Sequence, residues 1–452
     1  MPSHAHSNPG HEPIDALPPT ELSAVAPPET EFSNRHSTRN GRPASIRRVL
    51  VLSSAFPSKV QPIHGVFVKE RIRFLAQLPG VEVRVISPVP YFPPLESFKR
   101  WYPLSQIPRE EIIDGLRVTR PRYFLPPKVG GYFHADLMYP FVRRQLSRIR
   151  REFPFDVIDA HFIYPDGVVA AMLGAATNTP VVVTCRGEDI ERFPDEPLIG
   201  RRIRKTLTRA TQLVAVSGPI RDTMIRLGAD PGKVTLIPNG VDAKKFAPTS
   251  RESARKTLGL PADRPIVLAV GYRLKMKGYH LLIDAIPKIK KTYPDVLVAI
   301  VGGQARWGLD YSAEIEERIR ANAVSDSVLL TGARPPEELP NWYSAADVLS
   351  ILSSREGSPN VLMEALASGL PAVATPVGGI PDVLGDTERG ILLPERSAKA
   401  AAKGIVQALE RTWNRDEIRQ ITIQNNDWDK TARQVNQVFD RALGIASEPS
   451  GE

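Results

Sequence analysis

The chain has 452 residues, which is long for one domain and enough for two. Hydrophobic residues make up 42% of it, so sizeable cores can be buried. The formal net charge of +9 favours negatively charged partners, such as phosphate-bearing substrates or an anionic membrane surface. No nucleic-acid-binding motif is present, so nucleic acid is not predicted as a partner.

The cysteine content and the apolar runs bear on location. Because Cys185 is the only cysteine, no intrachain disulfide can form, as is usual in a reducing compartment. No stretch approaches the about 18 uninterrupted apolar residues of a membrane span, and no basic segment followed by an apolar run opens the chain. We therefore predict a cytoplasmic protein without a membrane span or secretory leader.

Residues 1–44 are predicted to be a disordered tail. They contain eight prolines and one large aromatic residue, Phe32, so they offer little surface to bury. They carry three Lys or Arg against five Asp or Glu, a net charge of −2. The total of +9 therefore leaves +11 on the rest of the chain.

From residue 45 onward, short β-rich runs alternate with helical patterns, which predicts parallel sheets covered by helices on both faces. We expect one domain over 45–243, a second over 244–427 that opens with a linker at 244–264, and a final segment at 428–445. The predicted strands are 49–53, 81–87, 116–120, 157–161, 181–184, 213–216 and 234–237, then 266–270, 296–301, 328–331, 348–352, 372–375 and 391–393. The predicted helices are 66–77, 132–153, 167–176 and 199–209, then 279–291, 311–323, 335–345, 359–368, 398–411 and 429–443. Such sheets bind ligands beyond the carboxyl ends of their strands, so two facing sheets predict a cleft between the domains.

Two carboxylates eight residues apart, Glu356 and Glu364, are the most informative feature of the second domain. Ser358 is expected to cap the helix between them, with Pro359 at its first position and Gly369 just past its end. The free N–H groups of a helix start bind anions, and carboxylates accept hydrogen bonds from sugar hydroxyls. The segment is therefore typical of a pocket for a phosphorylated sugar. The alternative is an ordinary capped helix with two exposed glutamates.

This segment resembles the E-x7-E signature of the retaining glycosyltransferases of family 4. That family has the α/β fold called GT-B, two doubly wound Rossmann-like domains that face a central cleft. The resemblance runs from about residue 47 to 443, and its other anchors are Gly65, Ser217 and the runs 237–242, 271–278, 301–303 and 378–381. It implies that the first domain binds the acceptor, that the second binds a nucleotide sugar, and that the final helix crosses back onto the first domain.

The resemblance also implies roles for single residues. Lys277 and Arg273 would stabilise the charge that develops on a departing diphosphate. Glu364 would bind the ribose hydroxyls, and Glu356 would bind hydroxyls of the transferred sugar. The donor-binding set is completed by a run whose backbone would meet sugar and phosphate: Gly357, Ser358, Pro359, Asn360 and Val361.

Gly65 follows the first predicted strand, where a glycine lets backbone N–H groups approach a phosphate. It is either part of the donor site, as the resemblance implies, or an ordinary loop glycine. No G-x-G-x-x-G run is present there, which argues against a nicotinamide enzyme. The implied transfer needs no obligatory metal, and no D-x-D run lies between the strands, so neither a metal nor another cofactor is predicted.

One position departs from the family pattern. Many relatives have a histidine before a glycine where this chain has Arg186, and arginine cannot act as a base. Arg186 could instead bind a phosphate or a carboxylated sugar. Asp189 and Glu188 are candidates to receive the proton of an acceptor hydroxyl, and His161 is another candidate that would line the cleft. A histidine at a strand end is also consistent with a structural role.

Two basic stretches belong to the first domain. They are Arg143, Arg144, Arg148, Arg150 and Arg151, and then Arg201, Arg202, Arg204, Lys205 and Arg209. The first shares its predicted helix with several aromatic residues, as in helices that lie on anionic membranes. We therefore predict peripheral contact with the inner face of a membrane, with a solvated basic helix face as the alternative.

Together these features predict a retaining glycosyltransferase of the hexosyltransferase type. Its expected donor is a UDP- or GDP-linked sugar, and its expected acceptor is a glycan or lipid-linked molecule of surface polysaccharide or glycolipid synthesis. A non-catalytic GT-B scaffold that binds a partner through its basic surface is the alternative, because Arg186 replaces the usual histidine. A sugar-nucleotide epimerase of similar architecture fits the E-x7-E segment less well.

Overall fold

The computed structural model describes residues 46–91, 93, 101–126, 130–304, 310–385 and 387–445. The predicted disordered tail, residues 1–44, lies outside the described residues, as does the side chain of Glu188. The described part belongs to one compact unit that starts at Ile46. It contains two large sheets with helices on their faces, which confirms the predicted fold class of two Rossmann-like α/β halves.

The N-terminal sheet has eight strands within the described residues, in the order β10-β9-β8-β7-β1-β2-β5-β4. These strands are β1 Arg47–Leu52, β2 Val81–Ile86, β4 Glu110–Ile113, β5 Leu116–Thr119, β7 Val157–His161, β8 Val181–Cys185, β9 Gln212–Ala215 and β10 Val234–Leu236. All neighbours are parallel except β4 and β5. The central strands β7 and β8 are buried at every residue, as expected for parallel strands covered on both faces. Two further short strands, β3 Val89–Tyr91 and β6 Arg122–Phe124, pair with each other.

The C-terminal sheet has six parallel strands within the described residues, in the order β13-β12-β11-β14-β15-β16. They are β11 Ile266–Val270, β12 Leu297–Val301, β13 Val328–Gly332, β14 Val348–Ile351, β15 Ala372–Ala374 and β16 Gly390–Leu392. Strand order reverses direction beside β11 and β14, so these two strands flank the crevice in which such sheets bind ligands.

The helices cover both sheets. They are α1 Val66–Ala76, α2 Tyr102–Ser105, α3 His134–Glu152, α4 Val168–Thr177, α5 Glu188–Glu191, α6 Pro197–Arg209, α7 Gly218–Arg226, α8 Arg251–Leu258, α9 Tyr279–Ile289, α10 Ser312–Ala321, α11 Leu339–Ala345, α12 Asn360–Ala367, α13 Ile380–Leu384, α14 Ala398–Glu410, α15 Arg415–Asn426 and α16 Trp428–Ala442. Sequence analysis missed α7, α15 and several one-turn helices. It also treated residues 244–264 as a linker, although α8 begins there after the Ser250 hydroxyl accepts a hydrogen bond from the Ser253 N–H.

The last helix, α16, packs against helix α1 and the N-terminal sheet. The Phe74 and Trp428 rings stack with centroids 6.4 Å apart. Val435, Val438 and Phe439 are fully buried in the core that contains β1 and β2. Because α16 follows directly after the helices of the C-terminal half, it ties the two halves together.

Candidate active site

A small cavity of about 140 Å³ lies at the carboxyl ends of β11 and β14. We call it the Lys277 cavity. Its lining residues are Val270, Lys277, Tyr279, Ser350, Ile351, Ser353, Glu356, Ser358, Pro359, Asn360 and Val361. Six of the ten predicted catalytic and donor-binding residues therefore meet in one place, whereas Gly65, Arg273, Gly357 and Glu364 do not line this cavity.

Lys277 and Glu356 form an ion pair in this cavity. The Lys277 Nζ donates to Glu356 Oε1 over 2.6 Å, and the Ser353 hydroxyl donates to the same oxygen over 2.7 Å. Lys277 ends a single 3-10 turn, and Gly278 follows with φ of 76°. A Cβ at Gly278 would collide with the backbone carbonyl of Leu352, so only glycine permits this approach of the loop to β14. The turn therefore positions the Lys277 ammonium beside the start of α12.

The start of α12 differs from the prediction. The helix begins at Asn360, and Pro359 occupies the N-cap position without a side-chain cap. The expected Ser358 cap is therefore wrong, because the Ser358 hydroxyl accepts a hydrogen bond from the Asn239 N–H at 3.2 Å instead. Gly369 has φ of 71° just past the end of the helix, as expected for a helix C-terminus. Asn360 and Val361, the first two residues of α12, line the Lys277 cavity, and the first N–H groups of a helix have no acceptor within it.

Glu364 lies one turn into α12 and accepts a hydrogen bond from the Tyr343 hydroxyl at 2.7 Å. Loss of water around the carboxyl raises the pKa of Glu364, and this hydrogen bond counteracts part of the rise. Tyr343 itself is fully buried in the core of the C-terminal half. Tyr343 was not predicted as a site residue, because the sequence of helix α11 indicates only a buried helix and not a contact with Glu364.

Glycines allow the loop around Glu356 to pack closely. A Cβ at Gly378 would overlap the carbonyl of Glu356, and a Cβ at Gly357 would overlap the carbonyl of Arg186. The Gly379 N–H donates to the Gly357 carbonyl at 3.0 Å. The glycine pair near residue 378 therefore fixes the backbone that carries Glu356.

Arg273 is not among the residues that line the Lys277 cavity. Its side chain is buried, and its Nη1 donates to the Ser312 hydroxyl at 3.4 Å at the start of α10. Its Nε has no hydrogen-bond partner within the described residues. The neighbouring segment 305–309 lies outside the described residues.

His161 lies beneath the cleft and has no exposed surface. Its Nε2 is 3.2 Å from Asp159 Oδ2, and its Nδ1 accepts from the Arg186 guanidinium at 2.7 Å. Burial lowers the pKa of His161 to about 4, so the ring is neutral at neutral pH. Both ring nitrogens are occupied, which leaves none for an acceptor hydroxyl.

Arg186 and Asp189 are buried as well. The Arg186 guanidinium donates to Asn239 Oδ1 at 2.9 Å and lies over the Phe67 ring at 5.0 Å. Asp189 accepts the N–H groups of Ile163, Arg186 and Gly187. Burial raises the pKa of Asp189 despite these hydrogen bonds. These hydrogen bonds hold the loop after β8, and the proposed role of Asp189 toward an acceptor hydroxyl stays a prediction.

The two halves of the molecule touch beside the Lys277 cavity. The Asn239 amide donates to Asn360 Oδ1 at 2.9 Å, and the Gly218 N–H donates to Asp382 Oδ2 at 2.8 Å. Sequence analysis did not single out Asn360 and Asp382 as partners of Asn239 and Gly218, because residues more than one hundred positions apart give no local signal of contact.

A second, largely apolar cavity of about 570 Å³ lies on the N-terminal side, and we call it the apolar cleft. Its lining includes Gly65 and His64 from the start of α1, aromatic residues Phe56, Phe67, Trp101 and Tyr123, and Tyr272 and Leu274 from the loop that precedes Lys277. Gly65 has φ of 72°, and a Cβ there would collide with the carbonyl of Ala55. The apolar cleft therefore borders the loop that carries Lys277.

Two α/β sheets of largely parallel strands, a cavity at the carboxyl ends of β11 and β14 and contacts between the two halves are the architecture of the GT-B fold. The sequence matches the family described as Glycosyltransferase Family 4 over residues 64–245 and that described as Glycosyl transferases group 1 over residues 250–438. The chain belongs to these family 4 glycosyltransferases and is a glycosyltransferase by class.

Individual glycosyltransferases are similar to this chain in sequence or in fold. The D-inositol 3-phosphate glycosyltransferase of Corynebacterium aurimucosum is 30% identical over 312 residues, which are 65% of this chain and 73% of that protein. TuaC of Bacillus subtilis, provisionally named as a teichuronic acid biosynthesis glycosyltransferase, is 28% identical over 80% of this chain and 88% of its own length. The crystal structure of HepE from Anabaena with UDP and glucose aligns with a TM-score of 0.65 at 20% identity, over 87% of this chain and 99% of HepE.

No helix in the described ranges has the length and apolar character needed to cross a bilayer. Within the same ranges, no group of three or more His, Cys, Asp or Glu residues is arranged to hold a metal ion.

Proposed function

We propose that this protein transfers a sugar, with retention of configuration, from a nucleotide-sugar donor to a glycan or lipid-linked acceptor. The observation that carries the proposal is the Lys277–Glu356 ion pair at the open start of α12. A cation and free helix N–H groups suit a diphosphate, and the adjacent carboxylate suits sugar hydroxyls. The HepE structures with UDP and UDP-glucose support a uridine nucleotide as the first donor to test, with GDP-linked sugars next.

In the proposed reaction, the diphosphate of the donor lies between Lys277 and the start of α12. As the glycosidic bond breaks, the diphosphate gains negative charge, which the Lys277 ammonium and the helix N–H groups stabilise. Glu356 holds a hydroxyl of the transferred sugar, and Glu364 holds the ribose. The acceptor hydroxyl attacks the sugar carbon on the face from which the diphosphate leaves, and its proton passes to an oxygen of the departing diphosphate, so the configuration is retained.

The size of the Lys277 cavity bears on how the donor enters. Its volume of about 140 Å³ is well below the roughly 300 Å³ at which small-molecule pockets begin. Gly187 and Asn239 from the N-terminal half approach Gly357 and Asn360 beside it. We therefore propose that the two halves move apart when the donor binds and close again for transfer.

The apolar cleft is the proposed acceptor site. It borders the Lys277 loop through Tyr272 and Leu274, so an acceptor there would reach the donor sugar. Aromatic walls suit the apolar faces of sugar rings or a lipid chain. The relationship to TuaC supports an acceptor from surface polysaccharide synthesis, and the D-inositol 3-phosphate glycosyltransferases support a small phosphorylated acceptor as the second candidate.

We also propose peripheral membrane contact through a patch near the start of α3. Tyr132, Phe133 and Leu198 expose 45%, 49% and 48% of their surface, and α6 adds the exposed cations Arg201 and Lys205. An ion pair between Arg202 and Asp136 joins the two helices. Exposed apolar side chains beside cations are typical of surfaces that bind anionic membranes. The cytoplasmic location remains a prediction.

Calorimetric titration with UDP, GDP and ADP, each alone and as a sugar conjugate, tests the proposed function. We expect micromolar binding of one nucleotide and its loss in Lys277→Ala, because the diphosphate then loses its fixed cation. Lys275→Ala is the control, because Lys275 lies in the same turn but does not line the cavity. Absence of nucleotide binding would contradict the proposal and favour a non-catalytic GT-B scaffold.

A further inference from the structure

A third concave surface of about 810 Å³ lies on the N-terminal half, and we call it the arginine groove. One wall is a face of α3, and the other is formed around the short strands β3 and β6. Its lining residues are Tyr91, Arg109, Pro121, Arg122, Tyr123, Phe124, Phe141, Arg144, Gln145, Arg148 and Arg151. These described lining residues include five arginines and no carboxylate.

The arginines of α3 form a regular row. Arg144, Arg148 and Arg151 are spaced by four and three residues, so they follow one face of the helix at intervals of about 5 Å. The Arg148 side chain is 61% exposed and lies 3.9 Å from Glu152, a separation that leaves the guanidinium open to other anions. The row therefore presents positive charge along a line rather than at a point.

The opposite wall adds a cation that is held in place. Arg122 donates to the Leu104 carbonyl at 2.7 Å. Burial, with repulsion from Arg109 and Arg120, lowers the pKa of Arg122. Arg120 is paired with Glu111, so Arg109 and Arg122 are the cations that this wall adds to the groove. A negatively charged ligand would relieve this repulsion.

Aromatic side chains alternate with the cations. Tyr91, Phe124 and Phe141 line the groove and expose 48%, 59% and 43% of their surface. Exposed aromatic rings in a groove indicate a binding surface, because a bound ligand would cover the rings. Arginines alone would bind any polyanion. Aromatic rings between the arginines favour a ligand that has both negative charges and apolar faces.

The arginine groove and the apolar cleft adjoin at the paired strands β3 and β6. Tyr123, on β6, lines both cavities and is only 1% exposed. Its hydroxyl is 2.6 Å from the Nε2 of His134, which also lines the apolar cleft. Tyr123 is therefore a buried boundary between the two cavities, and a chain that occupies both would cross the β3–β6 pair to reach the row of arginines.

We infer that the arginine groove binds the already assembled part of an anionic glycan acceptor, one whose sugars carry carboxylates or phosphates, while the growing end lies in the apolar cleft. This inference rests on the proposed glycosyltransferase function. Sugar rings match the aromatic side chains, and repeated acidic groups match the row of Arg144, Arg148 and Arg151. A bilayer surface is flat on this scale and fits a concave groove poorly.

The test measures binding of a fluorescent oligogalacturonate, a uronic acid chain of about ten sugars, by fluorescence anisotropy at low salt. Arg144→Gln with Arg148→Gln should weaken binding about 10-fold, because two cations are removed from the groove. Arg143→Gln with Arg209→Gln removes the same charge from exposed positions outside the groove and should change binding less than about 2-fold. A neutral dextran oligomer of equal length should not bind measurably in the same range.

The same variants are titrated with the nucleotide, because the arginine groove is separate from the Lys277 cavity and nucleotide affinity should not change. Equal oligogalacturonate binding by the groove and control variants would overturn the inference. So would binding of anionic vesicles, but not of oligogalacturonate, that depends on Arg144 and Arg148. If the unmodified protein did not bind nucleotide, the result would instead count against the proposed function. Failure of the inference and failure of the proposed function are therefore distinguishable.

Discussion

The paired carboxylates of the E-x7-E segment have different surroundings, and this difference separates their proposed roles. Glu356 faces the Lys277 ammonium in an open cavity, whereas Glu364 faces the Tyr343 hydroxyl at the edge of the core. The charged carboxylate of Glu356 is balanced by a cation. Glu364 has a raised pKa because it has lost water, and a ribose hydroxyl would replace part of that water.

Glu364→Gln tests the role of the second carboxylate. We expect a loss of donor turnover of about 10-fold or more, because a hydrogen bond to a charged acceptor contributes about 1.5–3 kcal/mol and the amide cannot replace it fully. Steady-state kinetics with the donor identified by calorimetry measure the change. Tyr343→Phe keeps the carboxylate and should have a smaller effect. An unchanged turnover number and Michaelis constant in Glu364→Gln would refute the assignment.

Asp166 lies in the N-terminal core and accepts both the N–H and the hydroxyl of Ser54. Burial raises the pKa of Asp166 from 3.8 to about 7. Between these two values the folded protein keeps a proton that the unfolded chain has released, so the free energy of unfolding falls as pH rises from about 4 to about 7. The carboxyl is therefore a source of destabilisation at neutral pH that an uncharged isostere would remove.

Asp166→Asn should be more stable relative to the unmodified protein at pH 8 than at pH 5. The change in relative free energy of unfolding between these pH values is expected to reach at most about 3 kcal/mol, because only about two pH units lie between pH 5 and the folded-state pKa of about 7, at about 1.4 kcal/mol for each unit. Urea denaturation at both pH values measures it. His134 and His161, whose pKa values are lowered to about 4, act in the opposite direction, but they act equally in both proteins. Asp222→Asn, at an exposed site, should show no such pH dependence.

At the scale of elements, the short turn before α9 positions Lys277. Gly278 has φ of 76° and lies against β14, whereas Gly259 has φ of 65° at the end of α8 with open space around it. Both positions need the left-handed backbone, but only Gly278 also needs the absence of a side chain. Substitutions at the two glycines therefore separate two free-energy costs: that of a positive φ in a residue with a side chain, and that of steric overlap with Leu352.

Gly278→Ala should lower the free energy of unfolding by about 2 kcal/mol or more and weaken nucleotide binding, because the Lys277 turn must move away from Leu352. Gly259→Ala should cost about 1 kcal/mol, with no change in nucleotide binding. Urea denaturation and calorimetry of both variants give the comparison. Equal stability losses in the two variants would show that the close approach at Gly278 is relaxed at no cost.

At the scale of the whole molecule, each proposed partner has its own binding surface. The Lys277 cavity is the proposed donor site, the apolar cleft is the proposed acceptor site, and the patch at the starts of α3 and α6 is the proposed membrane contact. The formal net charge of +9 is consistent with all three, because nucleotide, anionic glycan and anionic lipid are all negatively charged.

Phe133→Ser with Leu198→Ser tests the membrane patch. Flotation with vesicles of phosphatidylglycerol should fall about 10-fold or more, because each buried apolar side chain contributes about 1.5–3 kcal/mol when fully covered and less when partly covered. Ile112→Ser removes a residue that is 76% exposed on the edge strand β4 and should leave flotation unchanged. Equal flotation of all three proteins would argue against this patch.

Sequence alone determined the α/β class, the two sheets and most of their strands. Val49 and Leu50 project from opposite faces of β1 and both are buried, so an uninterrupted apolar run such as 49–52 already indicates a parallel strand covered on both faces. The Lys277 turn was also predictable, because Gly271 directly follows the strand before it. The E-x7-E segment was identified by its resemblance to the family signature. Exposed polar helices such as α8 and α15 were missed, since their stability comes from packing and caps rather than from an apolar stripe.

Only the tertiary structure decided which groups are available for chemistry. His161, Arg186 and Asp189 were plausible cleft residues by position, yet they hydrogen-bond to Asp159, Asn239 and neighbouring backbone below the surface. Ser358 was a plausible helix cap, yet it accepts from Asn239. These contacts join residues distant in the chain, and the energetic preference for satisfying buried polar groups is met only once the chain has folded. The row of arginines was visible in the sequence, but the groove beside it was formed by β3 and β6, which carried no signal of that contact.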